Sequence, residues 1–374
     1  MKLKDVISTA DVERCGERTL PVLSMTMHDG IVLQADRFKK AIASKDLSSY
    51  KVVRRNQLVV SFPIDEGVLY IQDLVDAGIV SPAYAIWDIH ANMVYPRYLG
   101  MFLRSPRSIQ YYKSKLRGST ARRRTIPRED FLCMELPEVS IAEQRKICVT
   151  LEKIKIVISE CEQQINRLGE IVKSRFVEMF GDPMTNPKGW PTGRVSDLAK
   201  YWNGLTYKPE NVSDTGTIVL RSSNIQGGSL DFADIVRVNI SAKEKNLVAP
   251  GDVLMCSRNG SAALVGKTAI IPKTDERMYF GAFMMILRSE VPEYLNAFFA
   301  TKAFRSQITC GATSTVNQIT CTMMDNVSLP LPPKDLMREF AAFVEKVDKL
   351  AFAARRRWDV AKQLYRAKIQ EYFG

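Results

Sequence analysis

The sequence predicts an α+β protein: two mixed α/β domains separated by two long antiparallel coiled-coil helices, with a pseudo-twofold internal repeat. Three observations predict this. One long segment carries apolar residues at alternating spacings of four and three, a second segment does the same, and matched segments recur at a constant offset.

The first long segment covers residues 139–181. Ile147, Leu151, Ile154, Ile158, Cys161, Ile165, Leu168, Val172 and Met179 keep a period near 3.5 through it, and a helix of about 40 residues would be about 60 Å long. A stripe that narrow cannot hold so long a helix alone in water, so it requires a partner of similar length. The second segment, residues 334–374, supplies one through Val347, Ala351, Ala354, Trp358, Ala361 and Tyr365. Its alanines admit the larger Ile and Leu side chains of the first, which predicts an intramolecular antiparallel pair.

Residues 1–138 read as the first mixed α/β domain, with β-rich runs at Thr19 to Met25 and Gln57 to Phe62. Gly181-Asp182-Pro183 ends the helix, and residues 182–192 form a linker rich in turn residues. A second domain, 193–333, then repeats the first. Leu3-Lys4-Asp5-Val6 is answered by Val195-Ser196-Asp197-Leu198, Asn56-Gln57-Leu58-Val59 by Gly251-Asp252-Val253-Leu254, and Tyr98-Leu99 by Tyr294-Leu295. Leu136-Pro137 matches Leu331-Pro332, and Phe180-Gly181 matches Phe373-Gly374. The offset is about 195 residues throughout, far longer than a solenoid period.

Composition narrows the function. A net charge of +12 favours a polyanionic partner, and double-stranded DNA is the one expected. No secretory segment follows Met1 and no apolar run has membrane-spanning length, so a soluble, cytoplasmic protein without a membrane partner is expected. The seven cysteines are scattered and form no C-x-x-C spacing, and His28 and His90 are the only histidines. Neither a metal site nor triad chemistry is indicated, and no cofactor is expected. Gly260 to Thr268 resembles a phosphate-binding loop but separates its glycines by five residues where four are required. No carboxylate pair sits in a nuclease-like context, so the chain reads as no enzyme, with no catalytic residue.

Candidate DNA contacts fall in four places. Between His90 and Arg128 no acid interrupts Arg97, Arg104, Arg107, Lys113, Lys115, Arg117, Arg122, Arg123, Arg124 and Arg128, and Gly118-Ser119-Thr120-Ala121 reads as a flexible polar loop within the run. Such cations neutralise phosphates, and arginine can grip guanine bidentately. The corresponding loop of the second domain, Gly311 to Ile319, is uncharged and offers Thr315, Asn317 and Gln318. Amides pair with adenine, so the two domains are expected to read different sequences. Arg221, Ser222 and Asn224 follow one apolar run, and Arg258 and Asn259 follow another, which places both at strand ends. Each feature also has a plain alternative: a solvated basic face for the run, ordinary turns for the loops. A paired-helix rod would act as a ruler, since B-DNA turns once in about 34 to 36 Å.

The segment Lys173-Ser174-Arg175-Phe176-Val177-Glu178-Met179-Phe180-Gly181-Asp182-Pro183, with Asn186-Pro187-Lys188-Gly189-Trp190, resembles the junction found in DNA specificity (S) subunits of type I restriction-modification systems. Pro137 followed by Glu143-Gln144-Arg145-Lys146-Ile147 resembles that family's helix start, and the likeness extends over essentially the whole chain. The second start, Met337-Arg338-Glu339-Phe340, lacks the Gln. The resemblance implies two target-recognition domains, each binding half of a split DNA site, and helices that fix the spacer and dock two DNA adenine methyltransferase subunits. Those subunits bring S-adenosylmethionine, and restriction subunits bring ATP-driven translocation. A structural adaptor whose coiled coil mediates assembly, with incidental basic charge, is the alternative from another class.

Overall fold

The computed structural model of the chain describes residues 1–37, 46–116, 126–309 and 317–374. Two compact units divide it, residues 1–161 with 356–374 and residues 162–355. The first long helix, Ile141–Phe180, and the second, Lys334–Phe373, are 40 residues each, and the division cuts both near their middles.

The expected seams are present on both helices. Ile147, Leu151, Ile154, Cys161 and Met179 are buried, as are Val347, Ala354 and Ala361. The remaining seam positions, from Ile158 to Val172 and at Ala351, Trp358 and Tyr365, are half-buried between exposed neighbours. In the first unit, Ile147, Cys148 and Leu151 share a core with Ile369 and Phe373, and Lys155 lies over the Tyr365 ring at 5.5 Å. In the second, Phe176 and Phe180 meet Phe340 at ring separations of 5.7 and 5.4 Å, and Arg175 bonds Glu339 at 3.1 Å. Within each unit the start of one helix therefore lies against the end of the other, an antiparallel pairing.

The first unit is organised on strands β1 (Ile7–Thr9), β2 (Leu58–Val60), β3 (Leu69–Ile71) and β4 (Ala85–Ile89), in the order β1-β4-β2-β3. The second unit has β5 (Ala199–Asn203), β6 (Val253–Cys256), β7 (Thr268–Ile270) and β8 (Met284–Ser289), in the order β5-β8-β6-β7. All pairs in both sheets are antiparallel. Register repeats as well, with Leu58 opposite Trp87 and Val253 opposite Leu287. Each sheet is backed by a helix with Pro at its start, Pro96–Leu103 burying Tyr98, Leu99, Phe102 and Leu103, and Pro292–Phe299 burying Tyr294, Leu295, Phe298 and Phe299. Beside these frames the units diverge. Lys51–Arg54 pairs antiparallel with Ala77–Val80 in the first, whereas Thr217–Leu220 runs parallel to Met278–Phe280 in the second.

The junction after the first long helix has a clear physical basis. Gly181, at φ +82°, ends the helix and donates to the Val177 carbonyl, and a Cβ there would come within 2.8 Å of the Pro187 ring. The Trp190 indole N–H then donates to the Phe180 carbonyl at 3.0 Å, while Asn186 bonds both main-chain groups of Trp190. At the start of that helix Gln144, 1% exposed, accepts from the Tyr95 amide and donates to the Val139 carbonyl, tying the helix to the first domain. Burial pushes the Cys148 thiol up to about 11 and the Tyr98 hydroxyl up to about 12, so both stay neutral.

Candidate nucleic-acid interface

In the second domain, three chain segments converge beyond the ends of strands. The strand Thr217–Leu220 leads into a turn at Ser222–Asn224. β6 leads into Ser257 and then Arg258–Asn259, which pair antiparallel with Asn317–Gln318. The register sets Arg258 opposite Gln318 and Asn259 opposite Asn317. Asn259 donates to the Ser222 hydroxyl at 3.1 Å, and Asn317 donates to the Gly260 carbonyl at 3.2 Å. Buried Ile319, whose amide donates to the Ser257 carbonyl, fixes the far end.

The sequence-based candidates separate into two groups. Arg258 and Gln318 are exposed, and Arg258 makes no ion pair among the described residues. Ser222, Asn259 and Asn317 lie beside them and are half-buried. Asn224 differs from the expectation: it is fully buried, with its side-chain oxygen accepting from the Arg221 amide and its nitrogen donating to the carbonyls of Asp231 and Asp234. It braces the loop and presents nothing to a ligand. Arg221 is also tethered, bonded to Asp234 at 2.8 Å with its side chain 34% exposed. A polar residue at a strand end can satisfy its own loop as readily as a partner, and these two side chains bond within theirs.

In the first domain the acid-free run is not acid-free in space. Arg97 bonds Glu152 at 3.3 Å, Lys115 lies 3.9 Å from Asp130, Arg104 stacks on Tyr70 at 4.5 Å, and Arg128 bonds Thr9 and lies over Trp87. Tyr111 and Tyr112 fall within the same run, and both are used structurally: Tyr112 is buried and donates to the Leu103 carbonyl, while Tyr111 donates to the Asp130 carbonyl. Lys113, in the last turn of the helix Pro106–Lys115, is exposed. Arg117, Ser119, Thr120, Arg122, Arg123, Arg124 and Thr315 lie outside the described residues.

Phe283 was not anticipated. It is 58% exposed, directly before β8, and the Arg258 guanidinium lies over its ring at 5.2 Å. The following residues Met284–Leu287 are all buried, so the two-residue alternation that would have marked an outward side chain is absent. Among the described residues no group of three His, Cys, Asp or Glu could hold a metal ion, and no helix is long and apolar enough to cross a membrane. Lys267 and Thr268 lead into strand β7, whereas a phosphate-binding loop opens a helix.

Two copies of one α/β frame set on long helices define a duplicated α+β class. The same fold occurs in the crystal structure of the S subunit of a type I restriction-modification system from M. genitalium, with a TM-score of 0.60 at 10% identity over 100% of this chain and 95% of that one. Residues 187–357 match the family model described as the type I restriction modification DNA specificity domain. The type I restriction enzyme StySPI specificity subunit of Salmonella potsdam is 31% identical over 173 residues, 44% of this chain and 36% of that protein. The EcoKI specificity subunit of Escherichia coli K12 gives the same identity and coverage. The match thus spans about a third of the length of these curated relatives.

Proposed function

We propose that this chain is the sequence-specific, non-catalytic DNA-binding specificity subunit of a type I restriction-modification complex, acting in the cytoplasm. Residues 1–138 and 193–333 serve as its two target-recognition domains, each reading one half of a bipartite duplex site. Residues 139–181 and 334–374 are the helices that set the interval between the halves, and 182–192 is the linker. Two DNA adenine methyltransferase subunits dock on the helices and carry out the chemistry, with restriction and translocase subunits as further partners.

The observation that carries this reading is a repeated sheet order joined to unlike loops. One frame is used twice, but the first domain's sequence carries an acid-free run of cations, while the second brings together amides, hydroxyls and Arg258, which makes no ion pair among the described residues. Docking is supported by apolar side chains outside the seams, with Ile156, Phe352 and Val360 each more than half exposed on the long helices. The test is sequencing of modified adenines in DNA methylated by the assembled complex. Two unlike half-sites at a constant gap are expected; identical halves, or a contiguous site, would overturn the reading.

A further inference from the structure

The two sheets carry an aromatic residue at the same topological position. Tyr84 directly precedes β4, and Phe283 directly precedes β8. Each meets a residue placed two positions beyond the end of the neighbouring strand, Phe62 after β2 and Arg258 after β6. In the first domain the pair is edge-to-face, with ring centroids 6.0 Å apart at 72°. In the second it is a guanidinium over a ring, at 5.2 Å. Phe283 is also fixed at its backbone, since its carbonyl accepts from the amides of both Ser257 (2.9 Å) and Arg258 (3.1 Å).

Resting on the DNA-recognition reading above, we propose that Arg258 and Phe283 form one reading element for adjacent guanine and thymine in the major groove. The chemistry comes from the pair. A guanidinium drawn over a ring has fewer orientations open to it before contact, so less freedom is lost when it takes guanine O6 and N7 bidentately. The exposed remainder of the ring offers an apolar face, and the thymine C5-methyl is the apolar group that a major groove presents. Asn259, Asn317 and Gln318 alongside supply polar contacts for the neighbouring bases.

The experiment uses the full chain assembled with its methyltransferase subunits, and binding-site selection on duplex DNA with the native chain, Phe283→Ala and Phe283→Leu. The native complex should select adjacent guanine and thymine in one half-site. Phe283→Ala should lose both preferences, and Phe283→Leu should retain thymine while its guanine preference drops about tenfold as Arg258 is released. Replacing that thymine by deoxyuridine should weaken the native complex about fourfold, the loss expected for one methyl contact, and leave Phe283→Ala unaffected. Unchanged preferences at the other half-site show that each variant is folded. A native bipartite site that Phe283→Ala selects equally well, or no effect of deoxyuridine, overturns this inference alone. A native complex that binds no duplex overturns the recognition reading with it.

Discussion

The two domains hold the same turn with different chemistry. In the first, the Gln57 side-chain oxygen accepts from the Arg54 amide at 2.7 Å and its nitrogen donates to Asp88 across the sheet at 2.7 Å. In the second, Asp252 accepts from the Ala249 amide at 2.7 Å and from both Nε and Nη2 of Arg288 at 2.8 Å. A side-chain oxygen that closes the turn and a polar partner one strand away are what the geometry needs; the charges that supply them are free to change. The helix starts obey the same logic, with buried Gln144 bracing one through two hydrogen bonds and buried Met337 plugging the other. Frame and surface have therefore diverged under different constraints, and the difference is open to measurement.

The largest effect is expected from replacing Arg122, Arg123 and Arg124 by Glu, which should abolish recognition of the first domain's half-site while assembly with the methyltransferase persists. Unchanged methylation at that half-site would mean that the two domains do not differ by charge as proposed. Next comes Asp252→Ala. It removes a carboxylate that is 1% exposed, with its bonds to the Ala249 amide and to the half-exposed Arg288, at a cost of about 2 kcal/mol by urea unfolding. Gln57→Ala, at the matching turn, should cost about 1 kcal/mol, because no formal ion pair is broken. Equal losses at the two positions would dissolve the contrast.

Two smaller effects sharpen it. Arg258→Ala should weaken duplex binding about tenfold at low salt with the melting temperature unchanged, whereas Arg221→Ala should chiefly lower stability, since its guanidinium already serves Asp234. The two buried tyrosines of the backing helices should differ in sign. Tyr294 donates to the Pro330 carbonyl at 2.6 Å, so Tyr294→Phe should cost about 1 kcal/mol. Among the described residues the Tyr98 hydroxyl has no such partner, and Tyr98→Phe should be neutral or slightly stabilising in the same unfolding assay.

Much of this protein was legible before any coordinates. The helix seams were readable because a period near 3.5 is a local property, maintained residue after residue from Ile147 to Met179 and again from Val347 to Tyr365. The duplication was readable because matched segments kept their offset. The candidate interface was legible only in outline. Arg258 with Asn259 and Asn317 with Gln318 are expected on separate loops, and only the structure pairs them; Asn224 and Arg221 bond within their own loop, and Phe283 gave no periodic signal.

Sequence by itself thus determined the α+β class, the repeat and the two helix faces, since each depends on spacing along the chain. Tertiary structure alone decided which polar side chains remain available. Whether an arginine is free depends on acids and rings brought up from distant segments, as Glu152 is to Arg97, Tyr70 to Arg104 and Phe283 to Arg258. Short-range periodicity carries no information about such neighbours, because they are chosen by how the strands are ordered and where their loops meet.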